Sequence, residues 1–305
     1  MILVIPASPV RRLALPLVLL LLLATPTLHA QRNFDTIQVR AMPVASHLYM
    51  LTGAGGNIGL SVGKDGAFLI DDQFAPLTDK IRAAVAEIAN EPIRFVLNTH
   101  WHGDHTGGNE NLGEAGATIV AHDNVRRRMS VEQFIRGDTV PASPEAALPV
   151  VTFDSEVTFH LNGDSVRAFH IAPAHTDGDA IVHFPVANVV HMGDTYFASG
   201  YPFVDLASGG SVDGVIAATE RVLGMTNART RIIPGHGPLS DRAALQTYHD
   251  MLVAIRNRIR TARAAGQTLE QVKAARPTAE FDAKWGGGFI DADTFVETVY
   301  RSLGS

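Results

Sequence analysis

The chain has 305 residues, 46% of them hydrophobic and 18% charged. That composition is globular, neither disordered nor collagen-like, and the length suits one large domain or two small ones. The absence of cysteine excludes disulfides, thiolate metal ligands and a cysteine nucleophile, while a formal charge of -6 supplies no basic footprint for nucleic acid.

Residues 1–30 are expected to be a signal peptide. Arg11 and Arg12 precede a nearly unbroken apolar run over 13–23, and the small Ala30 closes a polar stretch. The run is shorter than the ~20 residues of a membrane span, so no stable membrane insertion is expected once the segment is removed. Its removal takes away two arginines and no acidic residue, leaving a more acidic mature chain, 31–305. The implied location is periplasmic or secreted. An exported chain without cysteine must rely on its core and on any bound metal for stability.

In the mature chain, β-prone runs between Gly and Asp turns predict strands over 36–40, 48–52, 58–62 and 67–71. Gly53-Ala54-Gly55-Gly56 reads either as a mobile loop beside a site or as a plain hairpin connection. Ile81, Ala84, Val85 and Ile88 have helical spacing, which predicts a helix over 77–88. A strand over 94–97 ends on Asn98-Thr99-His100, and 137–149 reads as a loop. The second half predicts strands over 156–161, 166–171, 181–184, 189–192 and 231–233, with a helix over 212–224 before the last. The C-terminal part is helical, over 241–265, 269–275 and 291–303. Runs of strands followed by helices, in two successive halves, predict an α+β domain with two sheets face to face and helices outside.

The chemistry concentrates in Asn98-Thr99-His100-Trp101-His102-Gly103-Asp104-His105-Thr106-Gly107-Gly108-Asn109. His100 and His102 are two apart, so in extended chain they point the same way and can grip one metal. Asp104 and His105 follow on a turn, within reach of a second. Three more donors stand in short Gly-rich settings at predicted strand ends: His175, Asp194 and His236. His100, His102 and His175 make one neutral nitrogen set with a fourth position open to water. Asp104, His105 and His236 make a second set. Asp194 could bridge the two ions, its negative charge offsetting their repulsion.

The order His100-x-His102-x-Asp104-His105, then His175, Asp194 and His236, resembles the metallo-β-lactamase-fold hydrolase superfamily. The resemblance runs from about 45 to 238. It implies an αβ/βα four-layer sandwich and a binuclear centre, two zinc ions per chain, generating hydroxide that attacks the carbonyl of a small-molecule substrate. It casts Asp104 as a metal ligand that also orients the nucleophile or shuttles its proton, so that its loss is expected to cut turnover without unfolding the chain. Asp71 matches an early aspartate that supports the site without binding metal, whereas His122 and Asp179 default to structural roles.

Zinc β-lactamases of the best-known subclass carry Cys at the position of Asp194 and Lys three residues later, where this chain has Phe197. An Asp there is instead similar to glyoxalase-II-type thioesterases and lactonases. Tyr196 and Tyr201 are candidate substrate-side hydroxyls, with packing the stronger expectation. The leading expectation is an exported dizinc hydrolase of a cyclic amide, lactone or ester, β-lactams included. Its alternatives are a glyoxalase-II-type thioesterase, a mononuclear iron oxidoreductase of the persulfide dioxygenase type, and a metal-binding accessory protein without turnover.

Overall fold

In the computed structural model, which describes residues 1–3, 33–171 and 173–304, the central strands carry apolar side chains on both faces, and this dictates the layering. Apart from Met1, Ile2 and Leu3, the segment expected to be a signal peptide lies outside the described residues, and every element below belongs to the unit 34–305. In chain order the strands of the first half are β1 (Arg40–Ala45), β2 (Leu48–Thr52), β3 (Ile58–Ser61), β4 (Ala67–Ile70), β5 (Ile93–Leu97), β6 (Thr118–His122), β7 (Gln133–Ile135), β8 (Asp138–Val140) and β9 (Val151–Phe153). Those of the second half are β10 (Glu156–Leu161), β11 (Asp164–His170), β12 (Ala180–Phe184), β13 (Val189–His191), β14 (Arg231–Ile233) and β15 (Ser240–Asp241). The helices are α1 (Thr78–Ala86), α2 (Gly103–Thr106), α3 (Asn109–Glu114), α4 (Asp123–Met129), α5 (Val212–Met225), α6 (Arg242–Ala264), α7 (Leu269–Ala274), α8 (Asp282–Trp285) and α9 (Ala292–Ser302).

The first sheet runs β1-β2-β3-β4-β5-β6-β9 and the second β10-β11-β12-β13-β14-β15, while β7 and β8 form a separate hairpin. Period-two alternation sorts the side chains. Phe68 and Ile70 join Val182, Val189 and Ile233 in the core between the sheets. Leu69 faces the other way, onto Leu77, Ile81 and Val85 at the start of α1 and within it, with Leu112 of α3 beside them. Ile181, Val190 and Ile232 face outward onto Val215 of α5, Leu252 of α6 and Phe295 of α9. Helices, sheet, sheet, helices: this is the expected αβ/βα four-layer sandwich.

Two expectations are corrected. The strand expected over 36–40 lies instead at Arg40–Ala45, because Lys80 Nζ takes the carbonyls of Phe34, Asp35 and Ile37 at 2.9, 2.7 and 2.8 Å. A main chain whose carbonyls are held by an ammonium group has no ladder to join. The expected loop over 137–149 contains β8, paired with β7 across a two-residue turn in which Arg136 and Gly137 both have positive φ, and a short helical turn at Glu145–Ala147.

The topology gathers strand ends at one edge. Strands β4 and β5 are parallel, which sets Asp71 beside the segment after β5 that carries His100 to His105. Strands β13 and β14 are also parallel, so Asp194 and His236, each following its strand, emerge side by side. His175 lies in the β11–β12 connection at the same edge, since β12 is antiparallel to both neighbours.

Candidate metal centre

All seven expected donors converge. His100, His102, His175 and Asp194 each place one donor atom within 4.8 Å of the others, and so do Asp104, His105 and His236 among themselves. Asp194 stands between the groups. Its Oδ2 is 3.6 Å from His175 Nε2, 3.9 Å from His100 Nε2 and 3.3 Å from His236 Nε2, and its Oδ1 is 3.1 Å from His105 Nε2.

Four of the five rings are held at the nitrogen that faces away from the donor groups. His100 Nδ1 lies 3.0 Å from Thr99 Oγ1, His175 Nδ1 donates to the Phe203 carbonyl at 2.8 Å, and His105 Nδ1 donates to Asp71 at 2.7 Å. His102 is turned the other way, its Nε2 on Asp205 at 3.1 Å and its Nδ1 facing the group. These contacts fix the tautomers and leave lone pairs pointing inward. Asp71 also accepts from the amide and hydroxyl of Thr99 at 2.7 and 2.8 Å, which ties the His100 segment to the end of β4. Asp179 accepts from the amides of His175 and Thr176 at 2.5 and 2.9 Å and shapes the turn that presents His175.

The donor set fits divalent cations. Four donors bound tetrahedrally at about 2.0–2.1 Å stand about 3.3 Å apart. Here His102 Nδ1 is 3.1 Å from His100 Nε2 and 2.9 Å from His175 Nε2, while His236 Nε2 is 3.4 Å from both His105 Nε2 and Asp104 Oδ2. Among the described residues buried Asp194 Oδ1 accepts no hydrogen bond, although His105 Nε2 is 3.1 Å away. With the His105 proton on Nδ1, that contact sets two lone pairs face to face, an arrangement a cation relieves.

Electrostatics agree with this. Burial drives His100 well below the ordinary imidazole range and His175 to about 4, so both are neutral, the form that binds metal. Burial also raises Asp194, but His236, His105 and His100 outweigh it and hold the carboxylate ionised. Burial opposes charge on His105 as well, yet Asp194, Asp104 and Asp71 prevail and raise it, so a proton competes with a cation for Nε2.

Two glycines are required by close approach. A methyl group on Gly56 would overlap the His105 ring, and one on Gly235 would overlap Asp194 Oδ1. The Gly53–Gly56 segment is the β2–β3 connection and also borders the site, with Gly56 N donating to the Asp104 carbonyl at 3.1 Å. Tyr196 and Tyr201 are buried, with their hydroxyls on Ser240 and Asp282, and therefore pack. Phe197 stacks on His236 at 5.1 Å. Sequence reasoning missed Asp205. Its signal is only that of a cap, an Asp three residues before Ser208, whose amide it also accepts.

Fold and convergent donors together define a histidine- and aspartate-rich centre at the edge of an αβ/βα sandwich. The sequence profile of the Metallo-beta-lactamase superfamily matches residues 51–243, and the chain belongs to that superfamily. Among curated relatives, a hydroxyacylglutathione hydrolase of Nitrosococcus oceani is 30% identical over 164 residues, 53% of this chain and 55% of that protein. The hydroxyacylglutathione hydrolase of Erythrobacter litoralis is 31% identical over 110 residues, 35% and 36% of the two chains. The matches thus span about half or less of those relatives. Among solved structures, a metallo-beta-lactamase from Pontibacter korlensis superposes with TM-score 0.60 at 19% identity, covering 70% of this chain and 99% of that one. A sec-alkylsulfatase from Pseudomonas sp. gives 0.65 at 17% identity, covering 87% and 50%. At these identities the likeness is one of fold.

Proposed function

We propose that this chain is an exported binuclear zinc hydrolase acting on the carbonyl of a small-molecule thioester, ester, lactone or cyclic amide. The observation that carries the reading is the pair of donor groups meeting at Asp194, whose Oδ1 is buried without a hydrogen bond among the described residues. His100, His102, His175 and Asp194 would hold one zinc, and Asp104, His105 and His236 the other, with Asp194 between them. Zinc bound there supplies Lewis acidity and makes water acidic enough to ionise near neutral pH.

The chain's own groups do the rest. Asp71, Thr99, Asp205 and the Phe203 carbonyl keep the imidazoles aimed, so no reorganisation is needed during turnover. Asp104, with 27% of its side chain exposed, orients the attacking water and passes its proton outward. No serine or cysteine nucleophile is required. The thioester class is supported by the printed name of the curated relatives, and export by the arginine pair and apolar run of segment 1–30.

Metal analysis and a substrate panel test the reading. About two zinc ions per chain, with hydrolysis of a glutathione thioester, a simple lactone or a chromogenic cephalosporin, is the expected result. A single iron with no hydrolysis of any of them overturns it in favour of an oxidoreductase of the same fold.

A further inference from the structure

The β7–β8 hairpin carries a cation whose circumstances differ from those of its neighbours. Arg128, at the root of the hairpin, is neutralised by Asp177 through two contacts of 2.7 and 2.8 Å. Arg136, at the tip, is exposed and makes no hydrogen bond or ion pair among the described residues. Its guanidinium lies 4.2 Å from the centre of the Phe289 ring and 5.8 Å from that of Phe203. Phe203 in turn stands 5.8 Å from the His102 ring and 5.7 Å from the His175 ring. One phenyl ring therefore separates Arg136 from the donor cluster. The inner face of the hairpin shares a cavity of about 140 Å³ with His102, lined also by Trp101, Met129, Ile135 and Val140.

Two physical points give this arrangement a function. Stacking on aromatic faces uses the flat face of a guanidinium and leaves its in-plane N–H donors free to grip a carboxylate. The stack also restricts the side chain before any ligand arrives, so less freedom is lost on binding. Moreover, Arg136 occupies the first turn position at φ 52, ahead of Gly137 at φ 94. Such turns favour Asn, Asp or Gly, and a long side chain held there in the left-handed region is a strained choice of the kind that concentrates at ligand sites.

We infer that Arg136, braced by Phe289 and Phe203, binds a carboxylate of the substrate while the carbonyl under attack lies at the His–Asp cluster. The inference rests on the hydrolase reading and narrows its substrates to anionic ones. The carboxylate and the reacting carbonyl of such a substrate are several bonds apart, set by the two 5.8 Å steps from Arg136 to Phe203 and from Phe203 to His102.

Equilibrium binding to the zinc-loaded protein tests this without turnover, using 6-mercaptohexanoate and its neutral counterpart 6-mercaptohexanol. The thiolate end binds zinc, and the other end reaches the hairpin. Wild type is expected to prefer the acid by about tenfold, and Arg136→Gln to bind both compounds alike. Arg136→Lys, which keeps the charge and loses the fork, is expected to restore part of the preference, and Phe289→Ala to weaken it by freeing the guanidinium. A preference that survives in Arg136→Gln, or is missing in a zinc-loaded wild type that hydrolyses the panel, overturns the assignment alone. A protein that takes up no zinc and binds neither thiol overturns the hydrolase reading together with it.

Discussion

Asp205 and Asp104 bear on the same centre in different ways, and substitution separates them. Asp205 is buried and touches His102 only at the nitrogen that faces away from the donor group. Under the proposed function, Asp205→Ala leaves His102 free to rotate and is expected to weaken zinc binding about 10–100-fold, with turnover largely restored at saturating metal. Asp104→Ala is expected to lower turnover by about two or more orders of magnitude even at saturating zinc, because the group proposed to handle the water's proton is gone. Chelator competition reads the first effect and zinc-saturated kcat the second. Equal responses of the two variants in both assays would contradict the division of roles. The circular dichroism of both should stay native, since neither side chain belongs to the apolar core.

Among the elements, the segment before β1 shows how a local propensity is overridden. Thr36 to Arg40 has the composition of a strand, but Phe34, Ile37 and Val39 pack on the outer core of the first sheet while Lys80 of α1 gathers three of the segment's carbonyls. Lys80→Met keeps the aliphatic stem and removes the charge-assisted bonds. It is expected to cost about 1–3 kcal/mol and to speed amide hydrogen exchange over 34–39, with the exchange of β4 and β5 little changed. Exchange at the wild-type rate would show that apolar packing alone holds the segment. The β7–β8 hairpin is the opposite case. Its strands are three residues each, too short for a periodic signal, and Ile135 and Val140 gain their stability by packing against Trp101, Ala121 and Met129.

For the whole molecule, the donors lie on both sheets' contributions to one edge: His100 to His105 follow β5 of the first sheet, and His175, Asp194 and His236 follow strands of the second. Asn57 adds a polar tie across the same joint, donating to the carbonyls of Pro234 and Gly237 at 2.9 and 2.8 Å. Metal binding in the proposed site therefore stabilises the association of the two halves. At a hundredfold excess over its dissociation constant a ligand of the native state contributes about 2.7 kcal/mol. For a domain of this size that corresponds to a fall in Tm of about 5–10 °C on chelation, measurable by calorimetry and reversed by added zinc. A Tm indifferent to chelator in a zinc-containing sample would mean that the halves are held without the metal.

The sequence by itself determined the donor types and their local spacing. His100-x-His102-x-Asp104-His105 follows an apolar run, and the missing cysteine left only nitrogen and oxygen to do the coordinating. It also determined the long helices, whose apolar stripes repeat over many residues, and the two successive halves with their strand runs. Tertiary structure alone decided which donors meet. Asp194 lies closest in sequence to His175 but touches His105 and His236 as well, because parallel pairing of β13 with β14 and packing of the two sheets bring those strand ends together. The same holds for Asp205 on His102, Lys80 on the segment before β1 and Arg136 over Phe203. Each pairs groups 43 to 103 residues apart, and no periodicity within a single segment encodes contacts that close such long loops.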